Sequence, residues 1–433
     1  MRRHPRTQAP RIIRAVAGVV ATVALAAGAC IDPPAGAGPE SSTRIIAVDL
    51  PFEGGAADVS EDTFQALQLY LKQVNFAAGP YRIELVRRDN STPPKGVWSE
   101  TSCRANAEEH VRTAGQVAVI GTYNSGCTKA ELPVLNQAED GPMLIVSHAN
   151  TSLGLTGPGE EGEPDRYYPT GLRSFARVIA TEAGQGTAAA SFAADELEAE
   201  RCLVLNDGDR YGMTVAAAFA AEARRLGIEV LEETWQRADL NYVGLFSRAR
   251  VADPDCVFLG GAFDSNGARL VQDKVAILGD NEDVALIAPD GFVGYPDFTA
   301  LPEADGAYLT FPGLTTETLT VPGSAAERFV AAFAAEYGYE PRGGYASYPL
   351  YAVQALQVVL AAIAQSDGTR RGVRDAVFAG AGITIPADEA ILGEEVTIDP
   401  ATGDVVAPGV SILRVQDMQG HLVNAVRGKG APS

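Results

Sequence analysis

The sequence predicts an α/β protein made of two domains of similar plan, each a parallel sheet with helices on both faces. From Thr43 onward, short apolar runs rich in β-branched residues alternate with longer amphipathic stretches, which is the pattern of β-α-β units. The alternation stops at the acidic, Gly/Pro-rich segment 157–165 and then begins again. A chain of 433 residues that is 46% hydrophobic can bury two or three cores of this kind.

The first domain contains four predicted strands, because β-branched and apolar residues cluster there between turn signals. These strands cover residues 44–51, 81–89, 117–121 and 142–147. Apolar residues recur at helical spacing in 61–75, and the segments 99–111 and 129–138 are further helix candidates. Helices between strands favour a parallel sheet that is covered on both faces.

The second domain repeats this order and ends differently. Four more strands are predicted at 201–207, 227–234, 255–261 and 284–291, with helices between them. A strand-like segment, 306–313, then precedes two helical stretches, and the last predicted strands are 394–399 and 409–417. Late helices followed by terminal strands would fit a chain that crosses between its domains more than once.

The N-terminal residues predict an export signal. A basic start is followed by the uninterrupted apolar run 15–29, which is too short to span a membrane and has the length of a signal-peptide core. The run ends at Cys30, and small residues before a cysteine resemble a lipoprotein processing site, although Ala27 stands where that motif usually has Leu. Simple cleavage without lipidation is the alternative.

We therefore expect an extracytoplasmic protein that is anchored to a bacterial cell membrane by lipidated Cys30. The signal peptide would cover residues 1–29, and the Pro/Gly/Ser-rich residues 30–42 would form a flexible tether. The membrane would be contacted through this anchor only.

Charge and composition argue against several functional classes. The formal net charge of −21 opposes binding to phosphate backbones, and no local basic patch offsets it, so we expect no nucleic-acid partner. The sequence has no GxSxG elbow after a strand and no phosphate-binding glycine motif. No Cys/His pair has zinc-site spacing, so we predict no metal, no cofactor and no enzymatic activity.

Four cysteines remain in the mature chain. In an exported protein an even set of cysteines indicates disulfides. The four are Cys103, Cys127, Cys202 and Cys256. They allow three pairings, and the residues alone leave all three open.

Candidate binding residues follow the ends of the predicted strands. In open parallel sheets, ligands bind beyond these ends, where the N–H groups at helix N-termini favour anions. Ser125 and Thr151 would offer hydroxyl groups and N–H groups to a carboxylate, and Asp290 would take an ammonium group by a charge-assisted hydrogen bond. Such a site suits a small zwitterion. Each residue also has a plain interpretation as a turn, cap or packing residue, and we interpret His148 as a lining or packed histidine.

The order of several motifs resembles the type I periplasmic binding fold, specifically the branched-chain amino-acid (Leu/Ile/Val) binding proteins of ABC transporters. The motifs are "IGTYNSGCT", "PMLIVSHANTSLGLT", "RYGMTVAAAF", "FLGGAFDSNGARLV", "APDG" and "VTIDPATGDVVAPGVSILRV". The resemblance covers residues 43–425. It implies two doubly wound parallel-sheet lobes, joined by three crossing segments, that close on a ligand.

The resemblance also implies lobe boundaries and residue roles. The N-terminal lobe would comprise 43–178 plus 308–393, and the C-terminal lobe 179–307 plus 394–425. Matched by position, the ligand-binding residues would be Ser125, Asn150 and Thr151 at the carboxylate, Tyr211 as a covering aromatic, Asp290 at the ammonium, and Phe263, which would replace a tyrosine wall lost at Ala262. Asp290 is shorter than the Glu that leucine-type binders have there, and the pocket has lost a wall at Ala262, so a larger or more polar ligand than leucine is expected.

The family pattern favours one of the three cysteine pairings, Cys103–Cys127 with Cys202–Cys256. The function that the resemblance implies is a solute-binding lipoprotein that delivers an amino acid or a similar small polar solute to an ABC permease. The alternative is an extracytoplasmic sensor that passes its closed state to a signalling partner.

Overall fold

The computed structural model describes residues 43–92, 97–293, 295–341 and 347–427. The predicted signal peptide, Cys30 and the tether lie outside these residues. Among the described residues, no helix combines the length and the apolar composition that are needed to span a membrane.

The described strands and helices alternate along most of the chain. The strands are β1 (Thr43–Leu50), β2 (Ala77–Ala78), β3 (Tyr81–Asp89), β4 (Ser91–Thr92), β5 (Val97–Trp98), β6 (Gln116–Gly121), β7 (Leu144–Ser147), β8 (Phe175–Arg177), β9 (Arg201–Asn206), β10 (Glu229–Thr234), β11 (Cys256–Gly260), β12 (Ala285–Ala288), β13 (Tyr308–Phe311), β14 (Thr384–Ile385), β15 (Val396–Thr397), β16 (Gly409–Gln416) and β17 (Gln419–Arg427). The α-helices are α1 (Ala57–Gln73), α2 (Glu100–Arg112), α3 (Ser125–Leu135), α4 (Glu182–Asp195), α5 (Arg210–Arg225), α6 (Val243–Arg250), α7 (Gly267–Leu278), α8 (Pro296–Thr299), α9 (Thr316–Leu319), α10 (Ala325–Tyr337), α11 (Tyr348–Ala364) and α12 (Arg370–Phe378).

The first large sheet has the strand order β2-β3-β1-β6-β7-β8. Its pairs are parallel, except that β2 runs antiparallel to β3 at one edge. The residues of β6 and β7 are all buried, as expected for parallel strands that are covered on both faces. The four strands predicted for this domain are present as β1, β3, β6 and β7.

The second large sheet has the strand order β10-β9-β11-β12-β13-β16-β17. The strands from β10 to β13 pair in parallel, whereas β16 and β17 are antiparallel additions at the other edge. The predicted strand 394–399 contributes only β15, which pairs with β14 in a small separate sheet.

The chain passes between the two sheets three times. It leaves the first sheet after β8, and α4 then packs against α5, β13 and β16. It leaves the second sheet after β13, because α11 contacts α1, β6 and β7. The chain returns to the second sheet before β16. The predicted fold class, two doubly wound sheets with three crossing segments, is confirmed.

The lobe boundaries stay a prediction. The strand β13 pairs with β12 and β16, which are both strands of the second sheet. The second sheet therefore includes residues 308–311, whereas the predicted boundary assigns residue 308 onward to the first lobe.

Both disulfides of the favoured pairing are present. Cys103 in α2 is bonded to Cys127 in α3, with a Cα–Cα distance of 5.5 Å. Cys202 and Cys256 lie directly opposite each other on β9 and β11, with a Cα–Cα distance of 4.6 Å. Both distances fall within the usual disulfide range. The first bridge fixes the start of α3 to α2.

The start of α3 differs from the prediction in position. The helix begins at Ser125 rather than near residue 129, and it continues through Pro133. A proline inside a helix removes one backbone hydrogen bond, and α3 tolerates this loss at Pro133. Because α3 begins at Ser125, its first turn lies directly at the end of β6.

Candidate ligand-binding site

The first wall of the candidate site is the N-terminus of α3. Ser125 and Gly126 are its first two residues, so their N–H groups have no acceptor within the helix, and the helix dipole places partial positive charge there. The Ser125 hydroxyl accepts a hydrogen bond from the Ser152 N–H at 3.3 Å. A Cβ atom on Gly126 would lie 2.3 Å from the Trp98 ring, so this turn packs closely against Trp98.

Asn150 holds this turn in place. Its side-chain N–H groups donate to the carbonyl groups of Thr122 (2.8 Å) and Tyr123 (3.1 Å), and its side-chain oxygen accepts a hydrogen bond from the Thr128 hydroxyl at 2.5 Å. Its backbone carbonyl accepts from Arg177 at 2.8 Å. Direct contact between Asn150 and a ligand stays a prediction, and it would require one of these bonds to be exchanged.

Thr151 lies beside a buried acid that sequence reasoning missed. Thr151 is buried, and its carbonyl accepts a hydrogen bond from the Glu182 N–H at 2.8 Å. Glu182 is the first residue of α4, and its carboxylate accepts from the Leu153 N–H at 3.2 Å. Burial raises the pKa of Glu182 to about 7, and the charge of Asp290 adds to the effect. Glu182 lies in a crossing segment, so a search of strand ends could not find it.

The second wall is formed by Asp290 and Tyr211. The Tyr211 hydroxyl donates a hydrogen bond to the Asp290 carboxylate and accepts one from the Gly291 N–H at 3.1 Å. Burial raises the pKa of Asp290, while the hydrogen bond from Tyr211 opposes that rise. Burial and the Asp290 charge also hold the pKa of Tyr211 well above its usual value. A cation placed at Asp290 would favour the ionised carboxylate.

Phe263 is joined to the second wall through the backbone and through ring contacts. Its N–H donates to the Gly291 carbonyl at 3.0 Å. Its ring centroid lies 5.3 Å from that of Tyr295 and about as close to those of Phe292 and Phe298, at 6.1 and 5.9 Å. Phe263 therefore belongs to an aromatic cluster next to Asp290.

Two tyrosines complete the site and were also missed. The rings of Tyr123 and Tyr348 contact each other with a centroid distance of 5.3 Å. Burial raises the pKa of Tyr123 to about 12, and the Asp290 charge contributes to that rise. Tyr123 follows a strand of the first sheet and Asp290 follows a strand of the second, and that the two walls form one ligand site stays a prediction. The sequence could not show that Tyr348, far along the chain, reaches it.

A separate buried cluster has metal-ligand chemistry. One ligand atom from each of Asp49, His110 and Glu131 lies within 4.8 Å of the others. The Asp49 carboxylate accepts a hydrogen bond from Asn90 at 2.8 Å and lies 3.0 Å from the His110 Nε2 atom. Burial and the Asp49 charge hold the pKa of Glu131 well above its usual value. Within the described residues, neither the Glu131 Oε2 atom nor the His110 Nδ1 atom has a hydrogen-bond partner.

Comparison with known proteins identifies relatives over most of the chain. The family model described as "Periplasmic binding protein" matches residues 45–416. An amino acid binding protein from Pseudomonas aeruginosa is 24% identical over 357 residues, which cover 80% of this chain and 81% of that protein.

Solved structures share the fold at low sequence identity. An ABC transporter substrate-binding protein from Desulfitobacterium hafniense, in complex with Leu, is 22% identical with a TM-score of 0.67, over 88% of this chain and 100% of that chain. A solute binding protein from Rhodopseudomonas palustris, in complex with p-hydroxybenzoic acid, is 17% identical with a TM-score of 0.69, over 89% of this chain and 97% of that chain. The same architecture therefore occurs with ligands of different chemistry.

Proposed function

The chain belongs to the periplasmic binding protein family, and from this premise we propose that it captures an amino acid or a similar small polar solute between its two lobes. It is an extracytoplasmic solute-binding protein and not an enzyme. The bound solute is delivered to an ABC permease, and lipidated Cys30 keeps the protein at the membrane where that permease lies.

The proposal is supported by two groups of residues with unlike chemistry, one at the strand ends of each sheet. The first wall offers the N–H groups of Ser125 and Gly126 and the hydroxyl of Thr151 to a carboxylate. The second offers Asp290, whose charge reaches Tyr123 on the first wall. A ligand with a carboxylate and an ammonium group a few ångströms apart meets both requirements, because each charge finds its complement.

The two walls belong to different sheets, so capture requires that the lobes approach each other. A ligand that contacts both walls stabilises the closed arrangement relative to the open one, which is a population shift between two states. The permease would then distinguish loaded from empty protein by this closed arrangement.

A thermal-shift screen of the purified protein tests the proposal. The screen compares amino acids, amides, polyamines, aromatic acids and sugars, because a ligand that binds only the folded state raises its melting temperature. We expect the largest shift from a compound with both an ammonium group and a carboxylate. If only compounds without an ammonium group raise the melting temperature, the assignment of Asp290 is wrong.

A further inference from the structure

His148 is a buried polar residue without a hydrogen-bond partner. It directly follows β7, so it lies at the carboxyl edge of the first sheet, where Ser125 and Thr151 also lie. Its side chain is fully buried. Within the described residues, neither Nδ1 nor Nε2 has a partner. An unsatisfied buried polar group is costly, so each one calls for an explanation, and a partner that binds later is one such explanation.

The neighbours of His148 connect it to the candidate site. Its ring centroid lies 6.4 Å from that of Tyr123 and 6.4 Å from that of Tyr348. These two tyrosines contact each other, and Tyr123 responds to the charge of Asp290. The imidazole and the acid that we assign to the ligand ammonium therefore both act on one residue, Tyr123.

The imidazole is neutral in this environment. Burial lowers the pKa of His148 to about 3. A neutral imidazole offers one N–H donor and one nitrogen acceptor. A charged ligand group placed there would lose its hydration without gaining an opposite charge, so a neutral group fits better.

We infer that the ligand's side chain ends in a neutral group that can donate or accept a hydrogen bond, and that His148 is the partner of that group. The inference rests on the proposed capture of an amino acid. An amide and a phenol hydroxyl share this chemistry, and the flat faces of Tyr123 and Tyr348 suit either of them. The tyrosine rings cover the imidazole in this structure, so one ring turns aside as the ligand side chain enters. A leucine-type ligand would leave both nitrogens of His148 unpaired.

Two matched ligand pairs test the inference by calorimetry on the purified protein. L-glutamine is compared with L-methionine, and L-tyrosine with L-phenylalanine. We expect the polar member of at least one pair to bind at least tenfold more tightly, because a site built for a hydrogen bond rejects an analogue that lacks it. A preference for the glutamine pair identifies an amide, and a preference for the tyrosine pair identifies a phenol.

The variant His148→Leu should abolish this preference, while His148→Gln, which keeps a donor and an acceptor, should retain part of it. Gln354→Leu is the matched control, since Gln354 is another buried side chain with both polar atoms unpartnered, and it should leave the preference unchanged. If His148→Leu does not fold, loss of the preference in His148→Phe but not in His148→Gln is the equivalent result.

Two results would overturn the inference. In the first, the apolar member of both pairs binds as tightly as the polar one or more tightly. In the second, the preference persists in His148→Leu. If leucine or alanine binds while either result is found, the proposed capture of an amino acid still holds. If no amino acid binds, both the inference on His148 and the proposed function are wrong.

Discussion

Asp290 is half-buried, accepts a hydrogen bond from the Tyr211 hydroxyl and follows the end of β12. Burial raises its pKa, so the ionised carboxylate is held at a cost that a ligand ammonium would offset. Tyr211 donates to the carboxylate, but a neutral hydroxyl cannot compensate a full charge. A single atom change at Asp290 can therefore test the site without a change of shape.

We predict that Asp290→Asn weakens binding of an amino-acid ligand by about 10- to 100-fold, since a hydrogen bond to a charged group contributes about 1.5–3 kcal/mol. Tyr211 can still donate to the new amide oxygen, so stability should change little. Calorimetric titration measures the affinity. Asp239→Asn, at an exposed position, is the control, and equal affinities of the two variants would contradict the assignment.

Glu182 gives the protein a predicted dependence of stability on pH. Its pKa is about 7 in the folded protein, against 4.5 for an ordinary glutamate. Between these values the folded state holds a proton that the unfolded chain has released, so the free energy of unfolding falls as pH rises from about 4.5 to 7. The expected loss is at most about 3 kcal/mol.

Urea unfolding at pH 5 and at pH 7.5 checks this prediction. The wild-type protein should lose stability between the two values, and Glu182→Gln, which stays neutral, should lose less. Glu196→Gln, at an exposed position in the loop after α4, controls for a general effect of charge. The same loss in wild-type protein and in Glu182→Gln would show that Glu182 does not hold the proton.

At the scale of elements, the strands were predictable where apolar runs are long. Ten predicted strands are present as β1, β3, β6, β7, β9 to β13 and β16. The buried strands among them, such as β6 and β11, are almost continuously apolar. The strand β8 has only three residues, and β17 mixes apolar residues with polar ones at an edge of the sheet. Neither strand therefore shows an apolar run or a regular alternation of apolar and polar residues.

The candidate site was predictable to a similar extent. Ser125, Thr151 and Asp290 were proposed because strand ends are recognisable in sequence, and their contact with a ligand stays a prediction. Tyr348 and Glu182 were not, since both reach the site from segments that tertiary packing alone brings there. The direction of the Tyr123 side chain, one residue before the helix cap, also depends on packing.

The first turn of α3 depends on a close contact with Trp98. A Cβ atom at Gly126 would lie 2.3 and 2.4 Å from two atoms of the Trp98 ring. We predict that Gly126→Ala lowers the free energy of unfolding by about 1–3 kcal/mol, the usual cost of overpacking, and weakens ligand binding because the N–H groups of the turn are displaced. Chemical denaturation and calorimetric titration measure the two effects.

Gly244→Ala is the matched control for that change. Gly244 lies inside α6, where a Cβ atom would meet only the end of the Arg248 side chain at 3.8 Å. Alanine there should stabilise the helix by roughly 0.5–1 kcal/mol. If Gly126→Ala were as stable as wild-type protein and bound ligand equally well, the turn would not depend on this contact.

An arginine and two glutamates form ion pairs between the two lobes. Arg210, the first residue of α5, lies 3.2 Å from the Glu160 carboxylate and 3.6 Å from that of Glu163. Both acids lie in the segment between β7 and β8, which are strands of the first sheet. The next residue, Tyr211, holds Asp290, so this contact and the ligand site share one helix end.

Glu163 is held ionised at this junction. Burial opposes its charge, but hydrogen bonds from the Tyr167 hydroxyl, the Glu160 N–H and Lys129 outweigh burial and lower its pKa to about 2. Tyr167 donates at 2.6 Å and Lys129 at 3.0 Å. Glu163 therefore stays negatively charged and can pair with Arg210, which lies 3.6 Å away in this structure.

We predict that Arg210→Gln weakens ligand binding by about 3- to 10-fold, because the closed arrangement loses a partly exposed ion pair of about 1 kcal/mol while the ligand-contacting residues remain. Ligand affinity in wild-type protein should fall between 50 and 500 mM NaCl, since salt screens exposed charges, and the fall should be smaller in Arg210→Gln. Arg225→Gln is the control, because Arg225 lies on the same helix and pairs with Glu222 within it. If Arg210→Gln matched Arg225→Gln in affinity and in salt dependence, the charges at this junction would not contribute to closure, and the ligand contacts alone would hold the lobes together.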